Sequence, residues 1–372
     1  MRILVIGGGV AGLSATLSLR GAGFEVDVIE SDPAWGVYGV GIIQPGNALR
    51  ALDVLGLARA CIDAGQPIRG ERTWLADGVT QLAAHDWPAL VEGLPPGNGI
   101  TRPRLHKILK AATTGSGAQV RTGVTATGLH DRGDRVEVSF SDGADGTYDL
   151  VVGADGLYSQ TRERLFGADL KPEFTGQVCW RYNLPRIAGL EEIWIFVGPA
   201  GTLGFVPIGS DLMYAFLIET PMPGHAEAIA ADGAAAIMRR RLEPFAGPII
   251  ELRDQINDDG AVVLRPIDAI LVPKPWHKGR VVLLGDAVHG TSPHAGQGAA
   301  QALDDGIVLA QELARDVPLE AALEAFTARR FDRCKTVVEG SLAIGLWEQD
   351  HSLPIDPEAT RAQIALSAAM PV

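Results

Sequence analysis

The first thirty residues constrain the fold more than any other stretch. Ile3–Ile6 is a short apolar run, followed by Gly7-Gly8-Gly9-Val10-Ala11-Gly12, then Leu13–Arg20 at helical spacing, then Glu25–Ile29 closed by Glu30. A G-x-G-x-x-G turn between strand and helix, with an acid about twenty residues on, is the dinucleotide-binding arrangement. Each glycine has its own reason. Gly7 allows the tight turn, Gly9 lets backbone approach a pyrophosphate, and Gly12 lets helix and strand pack closely. Glu30 is placed to accept bonds from an adenosine ribose. The motif does not by itself separate FAD from NAD(P).

A second stretch, residues 279–305, has the shape of the other half of such a site. Val281–Leu284 reads as a strand buried on both faces, and it stops at Gly285-Asp286. Pro293, Gly296 and Gly298 then lead into an Ala/Leu-rich helix. Ligands of parallel α/β sheets lie beyond the strand C-termini, and a glycine-flanked helix start offers free N–H groups. A third corner of the same kind is Leu150–Val152 running into Gly153-Ala154-Asp155-Gly156, ahead of a helix that contains Arg162. Asp155 and Arg162 read either as a mutual ion pair bracing that corner or as direct contacts to a ligand.

The remaining segments are coarser. Residues 36–46 are glycine-rich and lead into a helix over about Asn47 to Ala64. Gly70–Ala76 and Val79–Ala83 flank Asp77-Gly78 as a hairpin. Ile100-Thr101-Arg102-Pro103 opens a helix that runs through Lys110, with proline in its first turn. Arg102 there can reach a phosphate or flavin edge, or stay a solvated charge. From about Pro172 the texture becomes period-two: Gln177–Asn183, Glu192–Val197, Thr202–Pro207 and Leu212–Glu219 read as an antiparallel sheet, with a turn at Gly209-Ser210. Ala226–Pro244 is helical, Ala261–Leu264 is a strand, and the chain after residue 305 is helical to about Glu348. The tail to Val372 carries few signals. The expected class is α/β, with a Rossmann-like nucleotide-binding domain interleaved with an antiparallel β-sheet domain and a helical C-terminal part.

Composition narrows the partners. A net charge of −13 argues against nucleic acid, whose phosphates call for a basic surface. No apolar run is long enough to insert in a membrane, and Met1 leads directly into a strand without a leader-like segment. Cys61, Cys179 and Cys334 are scattered, which fits a reducing cytoplasm and no metal site.

The three corners, in this order, resemble the single-component FAD-dependent aromatic hydroxylases, the p-hydroxybenzoate and salicylate hydroxylase family of class A flavoprotein monooxygenases. Gly41–Leu57, with Asn47-Ala48 and Leu55-Gly56-Leu57, looks like the salicylate-hydroxylase branch. The resemblance spans roughly residues 1–340. It implies an FAD-binding domain from 1–70, 99–171 and 270–340, a substrate-binding sheet domain from 71–98 and 172–269, and a C-terminal helix or tail over 341–372. It implies tight non-covalent FAD, NADH or NADPH as a transient co-substrate, and O2. Carried over by position, Gly7, Gly9, Val10, Ala11 and Gly12 cradle the pyrophosphate, and Glu30 and Ser31 bind the ribose. Arg102 contacts FAD and Val124 meets adenine through its backbone. Asp155 serves FAD and NAD(P)H handling, and Asp286 binds the ribitol. Pro293, Gly296, Gln297, Gly298 and Ala299 lie along the flavin ring. In this family a flavin C4a-hydroperoxide delivers OH to a small phenolic or N-heteroaromatic compound.

The substrate side is less determined. Arg181 points opposite Trp180 and Tyr182 on its strand, so it either anchors an acidic substrate or forms an outward salt bridge. Tyr214 and Phe216 share one face and either line a pocket with Pro293 or pack the sheet. His289 reads as loop support, while His294 is a candidate proton relay. Two other readings stay open: the same scaffold modifying a bulkier polyketide or terpenoid by epoxidation or hydroxylation, and a non-catalytic flavin-binding redox protein. A W-x-W-x-I-P segment is missing, which removes halogenation. The protein is expected to be a monomer or homodimer.

Overall fold

The computed structural model describes residues 1–37, 39–222 and 224–372; Pro223 and Tyr38, the latter within the glycine-rich segment 36–46, lie outside the described residues. The first sheet has six strands. It orders β18 (His277–Lys278), β19 (Val281–Leu283), β12 (Leu150–Gly153), β1 (Arg2–Ile6), β2 (Glu25–Glu30) and β8 (Gln119–Thr122). All its pairings are parallel except β18 with β19. Ile3, Leu4, Val5 and Ile6 of β1 are all buried, as a strand covered on both faces requires.

Helix α1 (Val10–Gly21) follows β1 and packs along α10 (Gly298–Leu313). The approach is close because Gly306 of α10 has no Cβ to collide with the α1 backbone at Ala15. Ser14 Oγ donates to Leu303 O at 2.7 Å across this seam. Ala11 lies beside Gly285 and Ala302, and Ala15 beside Gly306, so the two helices run the same way with both N-termini at one end.

The region 36–64 is not one helix. β3 (Gly41–Pro45) comes first, then α2 (Gly46–Val54) and α3 (Ala58–Asp63), broken at Gly56, whose φ is +73°. β3 joins β4 (Gln66–Ile68) and β7 (Gly97–Thr101) in a three-stranded sheet. Helix α4 (Arg102–Gly115) begins where proline and the Thr101 side chain, accepting from Arg104 N, start it. A further three-stranded sheet, β9 (Ala126–Asp131), β10 (Val136–Phe140) and β11 (Asp145–Tyr148), contributes Val136, Val138, Phe140 and Tyr148 to the core under the parallel sheet.

The seven-stranded sheet orders β17 (Val263–Ala269), β13 (Glu173–Pro185), β16 (Leu212–Glu219), β15 (Gly201–Pro207), β14 (Ile193–Gly198), β5 (Gly70–Leu75) and β6 (Gln81–Asp86). It is antiparallel apart from one pair. β14 and β5 run parallel because they come from two distant segments that meet in register Ile193 with Glu71. One face is covered by α7 (Ala234–Leu242) and α8 (Ile249–Leu252), against which Trp180, Tyr182, Met213, Ala215 and Leu217 are buried. The expected helix over 226–244 is in fact α6 (His225–Asp232) and α7, split at Gly233 with φ +85°. Arg181, Tyr214 and Phe216 alternate onto the opposite face, and Arg181 sits in register with Phe216.

Helix α5 (Gln160–Phe166) follows the Asp155 corner and α9 (Asp286–His289) the Gly285 corner. The helical end is α11 (Leu319–Gln349) and α12 (Pro357–Ala369), so a boundary at 340–341 falls inside one continuous helix. The tail is ordered by an Asp356 cap on the N–H groups of Glu358 and Ala359, and by Arg50, which donates to the carbonyls of Ala368, Ala369 and Met370. Among the described residues no helix is long and apolar enough to cross a membrane.

Candidate functional site

The three glycine corners converge. A Cβ on Gly7 (φ +109°) would collide with the Ala154 carbonyl, so the first corner lies directly on the second. A Cβ on Gly285 (φ +61°) would come 2.6 Å from Ala11 Cβ, so the first also lies on the third. The expected ion pair between Asp155 and Arg162 does not form. Asp155 instead accepts from Ser159 Oγ and from Thr161 N and Oγ1 (2.9 and 2.8 Å). Arg162 is buried and donates to Leu170 O and to Ala287 O, both at 2.9 Å. The arginine thus ties the second corner to the third, because neutral carbonyls solvate its charge inside the protein where Asp155 is already saturated by nearer donors.

The three fingerprint glycines differ in what surrounds them. Gly12 is pressed against the Gly7 carbonyl, whereas nothing lies within 4 Å of a Cβ built on Gly9. Gly156 (φ +81°) is open in the same way. Glu30 is engaged from both sides: Gly8 N donates to Oε2 at 2.8 Å, Asp32 N to Oε1 at 2.8 Å, and Ser31 Oγ to Oε1 at 3.1 Å. Trp35 Nε1 donates to Gly8 O at 3.0 Å, and His106 Nε2 lies 3.0 Å from the same carbonyl. Sequence reasoning missed both rings, since nothing local links residues so far apart. Val124 is buried, its N–H on Glu30 O at 3.0 Å.

Asp286 and Arg102 are reached by solvent, yet protein atoms crowd their charges. Desolvation raises the Asp286 carboxyl above its ordinary range, and His289 and Arg102 only partly offset it. Desolvation and then the neighbouring Arg181 guanidinium pull Arg102 below its ordinary value. Solvent access combined with depth describes the wall of a cleft. Arg181, Arg102, Tyr214 and Asp286 border it, between the inner face of the seven-stranded sheet and the three corners. Neither arginine has a carboxylate within 4 Å among the described residues. Tyr214 lies over Gly41 of β3, where a Cβ would strike its ring, and burial pushes its hydroxyl up to about 12. Phe216, 6.2 Å from Tyr214 between ring centroids, covers Gly204.

The loop 291–298 turns through a short 3-10 segment, Pro293–Ala295, and Gly296 at φ +62°. Its backbone is partly exposed, while the His294 side chain is only 2% exposed. Both ring nitrogens of His294 face protein: Nδ1 lies 2.9 Å from Ser292 Oγ and Nε2 lies 3.2 Å from Glu348 Oε2. Gln297 also turns inward, accepting from Asn47 Nδ2 at 2.9 Å and from Gln301 Nε2 at 3.1 Å. Gly298 and Ala299 begin α10 with free N–H groups and the positive end of the helix dipole.

Behind the third corner lies a fully buried ionic network. Asp305 Oδ2 accepts from Gly285 N (2.8 Å) and lies 2.6 Å from His289 Nε2, while Oδ1 accepts from Arg330 Nε at 2.7 Å. Burial would raise the Asp305 carboxyl, but His289 and Arg330 outweigh it and bring it to about 2. Burial opposes charge on His289, and the facing Cys334 and Asp305 overcome this and raise it well above its ordinary value. His289, Asp305 and Cys334 offer metal-ligand atoms within 4.8 Å of one another, but Arg330 already supplies the cation there.

These corners fit a dinucleotide. Nothing lies within 4 Å of a Cβ on Gly9 or Gly156, and α1 and α10 both begin at the end where the corners meet. The family model described as FAD binding domain matches residues 1–218 and 267–341. Among curated proteins, the aurachin C monooxygenase/isomerase of Stigmatella aurantiaca is 32% identical over 351 residues, covering 93% of this chain and 89% of that one. The 2-heptyl-3-hydroxy-4(1H)-quinolone synthase of Pseudomonas aeruginosa is 29% identical, covering 98% and 96%. Among solved structures, Klebsiella pneumoniae HpxO complexed with FAD and uric acid superimposes with a TM-score of 0.85 at 25% identity, covering 99% and 96%.

Proposed function

The chain belongs to the FAD-binding-domain family of class A monooxygenases and is an FAD-dependent enzyme of the aromatic-hydroxylase type, and on that premise we propose that it hydroxylates a small phenolic or N-heteroaromatic compound bearing an acidic group, with NADH or NADPH as reductant. The observation that carries this is the Arg181–Arg102 pair. The Arg181 charge disfavours that of Arg102, and Asp286, the acid that acts on Arg102, lies beyond 4 Å, so an anion bound between the two guanidiniums relieves that cost. The relatives' names point the same way, since a quinolone and uric acid are both N-heteroaromatics.

Bound FAD supplies oxygen activation and transfer of one oxygen atom to the substrate. The chain's own residues hold and orient. Gly7, Gly9, Val10, Ala11 and Gly12 surround the pyrophosphate, whose charge the start of α1 favours. Glu30, held by Gly8 and Asp32, meets the adenosine ribose with Ser31, and Val124 flanks the adenine. Arg102, Asp155 and Asp286 line the extended middle of the cofactor. Pro293, Gly296, Gln297, Gly298 and Ala299 present backbone to the ring, where the α10 dipole favours negative charge by about 0.3–1 kcal/mol. Arg181 anchors the acidic group of the substrate, and Tyr214, Phe216 and Pro293 enclose its ring and exclude water. Held between Arg181 and Arg102, an acidic OH loses its proton more readily.

The test is stopped-flow reduction of the FAD-loaded protein by NADH and by NADPH, against aromatic acids, phenols, quinolones and pyridines. The expected result is reduction accelerated by one class of compound, with a product heavier by one oxygen. Arg181→Met should raise KM by about tenfold or more while leaving FAD affinity intact. Flavin reduction that ignores every compound, with no oxygenated product, sinks the proposal and favours a non-catalytic flavoprotein.

A further inference from the structure

Glu348 lies near the end of α11, past the last residue that the family model matches, yet its carboxylate touches three separate elements. Oε1 accepts from Thr202 Oγ1 of β15 at 3.1 Å. Oε2 accepts from Gln177 Nε2 of β13 at 3.2 Å and lies 3.2 Å from His294 Nε2 in the loop. The carboxylate is 11% exposed, and the His294 ring it meets is 2% exposed. Gln177 and Arg181 are four apart on one strand, so the same face of β13 carries both.

One turn before Glu348, the helix has Gly345. A Cβ there would come 2.8 Å from His294 Cε1 and 2.9 Å from Gln177 Oε1. The helix reaches this depth because residue 345 has no side chain. A buried carboxylate is tolerated only when donors offset its charge; Thr202 and Gln177 supply them from two strands, and the His294 ring adds a close contact from the loop.

We propose that Glu348 is a positioning residue for the cofactor loop: by holding His294 while anchored on Gln177 and Thr202, it sets the loop Pro293–Gly298 against the strand face that carries Arg181. The inference rests on the reading that this loop meets FAD. His294 then acts through the loop it fixes, with Nδ1 on Ser292 Oγ and Nε2 packed against the Glu348 carboxylate.

The experiment compares wild type, Glu348→Ala and Glu348→Gln by FAD titration, the visible flavin spectrum and thermal unfolding. Glu348→Ala should weaken FAD binding by about tenfold and shift the flavin absorption bands. Glu348→Gln keeps an oxygen and an amide for these partners and should recover most of the affinity. A Glu348→Ala protein that melts earlier but binds FAD with wild-type affinity and spectrum overturns the proposal, because a merely structural contact would behave so. Should that variant not fold, Gly345→Ala displaces the same His294 ring; an unchanged flavin spectrum in it is equally fatal. Wild type that fails to take up FAD would bring down the cofactor reading as well, which separates the two failures.

Discussion

At the scale of single residues, identical side chains carry different meanings according to what surrounds them. Gly9 and Gly12 belong to one motif, but only Gly12 is pressed by protein, with the Gly7 carbonyl where its Cβ would be. Gly12→Ala should therefore destabilise the FAD-free protein by about 1–3 kcal/mol or more, the range for a forced overlap in a packed site. Gly9→Ala meets no protein atom within 4 Å. It should leave unfolding of the FAD-free protein nearly unchanged and show its cost only in FAD affinity. Urea unfolding without FAD, set beside a flavin titration, distinguishes the two; equal effects on stability would contradict the geometry. Arg162 teaches the same lesson from the other side. Its sequence neighbour Asp155 is the obvious partner, but Ser159 and Thr161 reach that carboxylate first, and the arginine goes to Ala287 instead.

Elements depend on a few contacts between residues far apart in sequence. The Gly285 corner is held by Asp305 on α10, and Asp305 by Arg330 on α11. Asp305→Asn leaves His289 and Arg330 without their carboxylate, a change worth roughly 3–5 kcal/mol when a buried pair is broken. The pH dependence follows from the signs. His289 is raised on folding, so its contribution is complete below about pH 6.5 and is lost as pH rises through the raised value. Asp305 is lowered to about 2, so its contribution is present above about pH 3.9 and disappears as pH falls toward 2. The stability gap between wild type and Asp305→Asn should be widest between those limits and narrow on the alkaline side, as read from urea midpoints across a pH series. A gap that widens with alkaline pH would contradict the assignment. The start of α4 is legible at Pro103, which fits only a helix's first turn. A lone glycine inside an apolar helical period is not decisive, so the breaks at Gly56 and Gly233 are decided by their positive φ in the folded chain.

For the whole molecule, the cleft is a joint property of two sheets that share few neighbours in sequence. One is parallel and brings the glycine corners to one edge. The other presents Arg181, Tyr214 and Phe216 from its inner face, while α7 and α8 cover its outer face. A ligand filling such a cleft stabilises the folded chain by mass action, about 2.7 kcal/mol at a hundredfold excess over Kd. FAD should accordingly raise Tm in a concentration-dependent way, and removing it should lower Tm. A melting curve indifferent to FAD would contradict the assignment of the cleft.

The sequence by itself determined the α/β class and the three glycine corners of a dinucleotide site, because these depend on local requirements, while FAD followed from the family resemblance of the three corners together. A positive φ, a buried apolar strand and a helix start are each written within a few adjacent residues. It also determined the alternation that separates Arg181 from Trp180 and Tyr182. Tertiary structure alone decided which face of that sheet looks into the cleft, where Arg162 and His294 spend their hydrogen bonds, and that Glu348 reaches the loop. Those outcomes are competitions among donors and acceptors brought together from distant parts of the chain, and the winner is the nearest well-aligned partner in space. No spacing in the sequence records that distance.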